Sequence, residues 1–164
     1  MRVMAMSEDE TIEFKYSITP LDLVKDEKVK EWEPLYNMGL IAGGETIVIE
    51  IWYESDWNAL MLHVNAVMWD PQRGEEHWLL NPEGAGEADV SSFDAFVDDV
   101  VETVDNMLAM ADHACDEGFG FVCAARNNEK LTELILEHVE KMLRSDEKLK
   151  AAVEKVRKMK KNAN

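Results

Sequence analysis

The chain has 164 residues with 34 acidic and 17 basic side chains, a formal net charge of -17. That balance excludes a free nucleic-acid binder, whose affinity depends on basic groups neutralising phosphate, and it disfavours an anionic membrane surface. Hydrophobic residues make up 46% of the chain, so the charge belongs to a folding sequence and not to a disordered one.

No stretch approaches 18 consecutive apolar residues, so no membrane span is expected. Residues 1–10 carry no secretory-signal pattern and read as a flexible start to a single domain over 1–164. With two cysteines, Cys115 and Cys123, and no such signal, the expectation is a cytoplasmic protein with reduced, packed thiols. The charge is uneven. Residues 1–124 hold 27 acids and 6 bases, a net of -21, whereas residues 125–164 hold 7 acids and 11 bases, a net of +4. Lys outnumbers Arg twelve to five, which argues against a salt-adapted surface as the source of the excess acid.

Residues 11–18 alternate, with Ile12, Phe14, Tyr16 and Ile18 on one side, which predicts a half-buried strand. Thr19-Pro20 predicts a helix start, with a short helix over 21–32. Asn37 to Gly44 reads as a loop. Residues 45–54, 58–69 and 76–80 are rich in β-branched, aromatic and aliphatic types. They are separated by Ser55-Asp56 and by the turn Asp70-Pro71-Gln72-Arg73-Gly74, which predicts an antiparallel meander. Residues 81–90 read as a loop, Ser91 as a helix cap, 92–117 as one long helix ending at Gly118, and 119–125 as a buried strand. Two further helices are predicted over 128–143 and 146–161, a C-terminal helical pair within 126–161. The fold class is α+β: an antiparallel meander sheet packed by a long amphipathic helix and two C-terminal helices.

The long helix carries the most specific pattern. At 100° per residue, Asp94, Asp98, Glu102, Asp105, Asp112 and Asp116 fall within about 80° of arc, opposite an apolar face. The stripe would extend about 33 Å, with charges about 5–6 Å apart, close to the phosphate spacing of a nucleic-acid strand. No Lys or Arg lies between Arg73 and Arg126, so nothing within the helix offsets the repulsion. A solvated outer face is the bland explanation; a recognition surface is the functional one.

Other chemistry is thinly represented. His113 and Cys115 with Cys123 lack the ligand set of a structural zinc site. No phosphate-binding glycine loop is present, and no cofactor or metal is expected. His138 reads as a core histidine; His63 and His77 could serve acid–base chemistry but have no nucleophile motif beside them. Five tryptophans crowd the sheet half, most expected in the core, with Trp57 next to Asp56 the candidate exposed anchor. The basic end Lys155–Lys161 suits a helix C-terminus.

In size and charge the chain resembles phage- and plasmid-encoded anti-restriction and anti-CRISPR proteins. The resemblance is one of composition and carries no residues over. It implies a non-enzymatic acidic inhibitor, a nucleic-acid mimic that binds the basic groove of a nucleic-acid-processing protein or complex and makes no contact with nucleic acid or membrane. The partner-binding residues would be Asp94, Asp98, Glu102, Asp105, Asp112, Asp116 and Trp57. Two alternatives stand beside it: an acidic chaperone-like module, dimeric and binding a protein client, and a small enzyme using His63 or His77.

Overall fold

The computed structural model describes residues 2–4, 11–18, 36–42, 44–79 and 84–162. Among them are seven strands, β1 Arg2–Met4, β2 Thr11–Ile18, β3 Tyr36–Ala42, β4 Glu45–Glu54, β5 Ala59–Asp70, β6 Glu75–Leu79 and β7 Ala85–Glu87. Four helices follow, α1 Phe93–Ala109, α2 Gly120–Arg126, α3 Glu129–Arg144 and α4 Glu147–Asn162. Neighbouring strands pair antiparallel in the order β1-β2-β3-β4-β5-β6, and β7 takes the rest of the β5 edge, pairing Met61–His63. The architecture is α+β, a meander sheet with helices packed on it.

The strand alternation explains the packing. Tyr36, Met38 and Leu40 of β3, Ile47, Ile49 and Ile51 of β4, and Leu60, Leu62, Val64 and Ala66 of β5 are all buried and share one face. Against them lie Phe96, Val97, Val100, Val104, Met107 and Leu108 of α1, with Ile135, Val139 and Leu143 of α3 and Val153 and Val156 of α4. Burying each such aliphatic or aromatic side chain contributes roughly 1.5–3 kcal/mol, so α1 is held by its apolar face despite its acidic one. The 70–74 turn forms as expected: Asp70 Oδ1 accepts from the Gln72 N–H at 3.0 Å, and Gly74 supplies φ +67°.

Several sequence expectations are corrected. Residues 36–42 form a strand rather than a loop, because Tyr36, Met38 and Leu40 alternate into the core despite Asn37 and Gly39. The loop expected over 81–90 contains β7. The cap of α1 is Ser92, whose Oγ accepts from the Ala95 N–H at 3.0 Å; Ser91 instead donates its N–H to Asp89 Oδ1. The helix ends at Ala109, not Glu117, and residues 111–119 run through a series of turns. The segment expected as a strand over 119–125 is helix α2. Its first N–H groups, on Phe121 and Val122, donate to the buried Glu45 carboxylate at 2.6 and 3.3 Å, a cap supplied from 76 residues upstream.

The thiols are not reduced: Cys115 and Cys123 form a disulfide. Eight residues apart, they would lie about 12 Å apart along one helix. The reversal between α1 and α2 brings their Cα atoms to 4.9 Å. At the start of the chain, Arg2–Met4 pairs with Thr11–Glu13; residues 5–10 and the predicted 21–32 helix lie outside the described residues. No helix among the described residues is long and apolar enough to cross a membrane.

Candidate functional site

Helix α1 runs along β5. The Ala88 N–H donates to Leu60 O at 2.8 Å just before the helix, and Glu117, just beyond it, meets His77 of β6 at 3.3 Å. This places the apolar face on the sheet and leaves Asp94, Asp98, Glu102 and Asp105 exposed on the other side. These four span about 16 Å of helix, half the length the sequence suggested. Asp112 and Asp116 are exposed too, but they belong to the turn segment and not to the helical stripe.

The stripe is also less naked than its own sequence implies. The Arg144 guanidinium of α3 reaches Asp94 Oδ1 at 2.5 Å, Asp98 Oδ1 at 3.4 Å and Glu140 Oε1 at 3.1 Å. The Asp94 carboxylate first, and then that of Glu140, hold the Arg144 pKa above its ordinary value. At the other end, Arg126 of α2 binds Asp112 Oδ1 at 2.5 Å and donates to Ala109 O at 3.3 Å, closing the C-terminus of α1. Between the two arginines, no described residue pairs with the side chains of Glu102 or Asp105. These two groups form the centre of the acidic face, and Asp105 borders a cleft of about 500 Å³ shared with Leu108, Arg126, Asn127, Glu129 and Thr132.

Trp57 sits at the tip of the β4–β5 turn and is 70% exposed. The turn around it is held by its neighbours: Asn58 adopts φ +46°, and its Oδ1 accepts from Tyr53 Oη–H at 2.9 Å. The expectation that most tryptophans are core residues fails among the described ones. Trp69 and Trp78 are also exposed and share the outer face of the β5–β6 pair, while Trp52 is half-buried. Trp32 lies outside the described residues.

The two histidines considered for chemistry each acquire a carboxylate. His63 lies opposite Glu50 across β4 and β5 and edge-on to Trp52, with ring centroids 6.2 Å apart. Burial raises the Glu50 carboxyl pKa, and the nearby His63 partly opposes that. His77 Nε2 and His113 Nε2 approach opposite oxygens of Glu117 at 3.3 Å each, and His77 packs on Phe119. Neither His63 nor His77 lines the cleft beside Asp105 or the one formed by Glu87–Ser91, Asp99, Arg157, Lys160 and Lys161. No group of three or more His, Cys, Asp or Glu among the described residues is arranged to hold a metal.

His138 is half-buried, and that desolvation lowers its pKa. The basic C-terminal helix folds back on its own chain: Lys160 pairs with Glu87, and Arg157 with Glu154. The chain matches no known protein family, no curated protein and no solved structure at a significant level.

Proposed function

We propose that the protein is a non-enzymatic acidic inhibitor acting in the cytoplasm on a basic nucleic-acid-processing protein or complex, in the manner of anti-restriction and anti-CRISPR nucleic-acid mimics. The observation that carries this reading is the pair Glu102 and Asp105, exposed and without a described partner at the centre of the α1 face. They belong to a stretch of sequence, residues 1–124, whose net charge is -21. Such a field speeds encounter with a cationic groove and selects for it. Asp98 and Asp94 extend the surface along α1, with Asp112 and Asp116 beyond its end, and Trp57 offers an aromatic anchor.

The test is inhibition of DNA cleavage by a panel of restriction endonucleases and RNA-guided nuclease complexes. Wild type is compared with the Asp98→Lys, Glu102→Lys, Asp105→Lys triple variant, its fold checked by circular dichroism. Inhibition by wild type that the variant loses supports the reading. Inhibition of no member, or equal inhibition by both proteins, overturns it.

A second reading, a client-binding module, is favoured by the exposed Trp69 and Trp78 on one face of the β5–β6 hairpin. It predicts dimers and Trp69-dependent binding of an unfolded client such as reduced α-lactalbumin; a monomer that leaves this client free would exclude it.

A further inference from the structure

Residues 111–119 connect α1 to α2 and carry Asp112, His113, Asp116 and Glu117. Four kinds of contact hold them, the first being side-chain pairs, Arg126 to Asp112 and His77 to Glu117. Ala111, Ala114 and Phe119 are fully buried. The backbone closes turns from the Glu117 N–H to His113 O at 3.0 Å, from Gly118 to Cys115 O at 3.3 Å and from Phe119 to Ala114 O at 2.9 Å. The Cys115–Cys123 bond then ties the outer, exposed side of the segment to α2. Its two residues differ in exposure, Cys115 being exposed and Cys123 half-buried. Asn127 Nδ2 lies 3.8 Å from Cys115 Sγ and 3.7 Å from Cys123 Sγ, and is itself anchored by donating to Cys123 O at 2.9 Å.

We propose that this disulfide is a redox latch on the acidic turn segment, opened by a dithiol. A thiolate of the dithiol attacks the sulfur of the exposed Cys115. A mixed disulfide forms there, and the bond to Cys123 breaks, with its electron pair leaving on Cys123. The Asn127 amide faces that sulfur as a donor until it takes a proton. The second thiol of the reagent then displaces Cys115, so two cysteine thiols form and the dithiol leaves as a disulfide. The buried anchors remain on opening, so the change is confined to the segment. Asp116, next to Cys115 and in no ion pair among the described residues, loses its fixed placement, while Asp112 stays on Arg126, Glu117 stays on His77 and the α1 carboxylates keep theirs. The consequence for partner binding rests on the inhibitor reading; the latch itself does not.

The experiment uses the whole oxidised chain in native buffer, with dithiothreitol and iodoacetamide, followed by hydrogen exchange read by mass spectrometry. The expected result is two alkylated cysteines without denaturant. Exchange at the amides of Glu117 and Gly118 should be faster by about tenfold or more, with β4, β5 and α3 unchanged. The Cys115→Ser, Cys123→Ser double variant should show the same pattern without reductant. Cysteines that react only after denaturation overturn the proposal. So does reduction that leaves the segment's exchange unchanged, or reduction that accelerates exchange throughout the chain. The readout involves no partner, so failure here is distinguishable from failure of the inhibitor reading.

Discussion

The Arg144 guanidinium lies 2.5 Å from the Asp94 carboxylate, joining two helices 50 residues apart in sequence. The same group also meets Asp98 and Glu140, so one side chain is ordered once for three contacts. The contact redistributes the acidic face: its N-terminal end is partly neutralised, and Glu102 and Asp105 are left as its open centre.

Arg144→Ala separates the two effects of that contact. Exposed ion pairs are worth little, so the expected loss in urea titration is about 1 kcal/mol or less. By releasing Asp94 and Asp98, the same change should strengthen association with a basic partner, most visibly at low salt. Weaker association in a variant of unchanged stability would show that Arg144, not the carboxylates, faces the partner.

Glu102→Gln with Asp105→Asn tests the centre of the face. Asp98, Glu102 and Asp105 follow one another at helical spacings of four and three, where like charges repel by a few tenths of a kcal/mol per pair. Neutralising two of them should raise the urea midpoint slightly without changing the slope and lower inhibition of a susceptible nuclease. A variant that gains stability and inhibits as well as wild type would make the face a solvation device only.

Glu45 links pH to stability. Burial raises its carboxyl pKa above the ordinary 4.5, more than the Phe121 and Val122 N–H bonds lower it. The folded chain therefore retains this proton at pH values where the unfolded chain has released it. Its contribution is full below about pH 4.5 and is lost as pH rises through the folded-state value. Glu45→Gln keeps an acceptor for α2 and removes the buried charge, so it should abolish that component and stabilise the protein at neutral pH. Glu45→Ala leaves two helix-start N–H groups without their acceptor and should cost about 1–3 kcal/mol. Chemical denaturation at pH 4 and pH 7 for the three proteins checks both; equal pH profiles for wild type and Glu45→Gln would remove Glu45 as the cause.

What the sequence makes legible is what local periodicity controls. The strands at 45–54 and 59–70, the turn at Gly74 and the helices after Asn128 follow from alternation, β-branching and caps. Tyr36, Met38 and Leu40 carry the same alternation, but Asn37, Gly39 and the following glycines mask it. Phe119–Ala125 is a short apolar run, and such runs do not distinguish strand from helix. Here Glu45, on another element, decides by capping the first turn. Nor can periodicity end a helix at Ala109 when the ending depends on a chain reversal that pairs Cys115 with Cys123. The angular clustering of Asp94, Asp98, Glu102 and Asp105 was readable; their pairing with Arg144, from a different helix, was not.

Trp57 gives the sharpest separation of stability from recognition. The residue is 70% exposed, and the turn geometry rests on Asn58 and its bond with Tyr53 rather than on the indole. Trp57→Ala should therefore stay within about 0.5 kcal/mol of wild type. If the indole anchors the partner, the same substitution should weaken binding by about thirtyfold, the cost of losing a central aromatic contact, and Trp57→Phe should recover much of it. Denaturation midpoints, together with inhibition curves for a susceptible nuclease, measure the two quantities on the same preparations. Unchanged inhibition by Trp57→Ala would confine the interface to the acidic face of α1, because the hairpin tip would then contribute neither contact area nor charge to the complex.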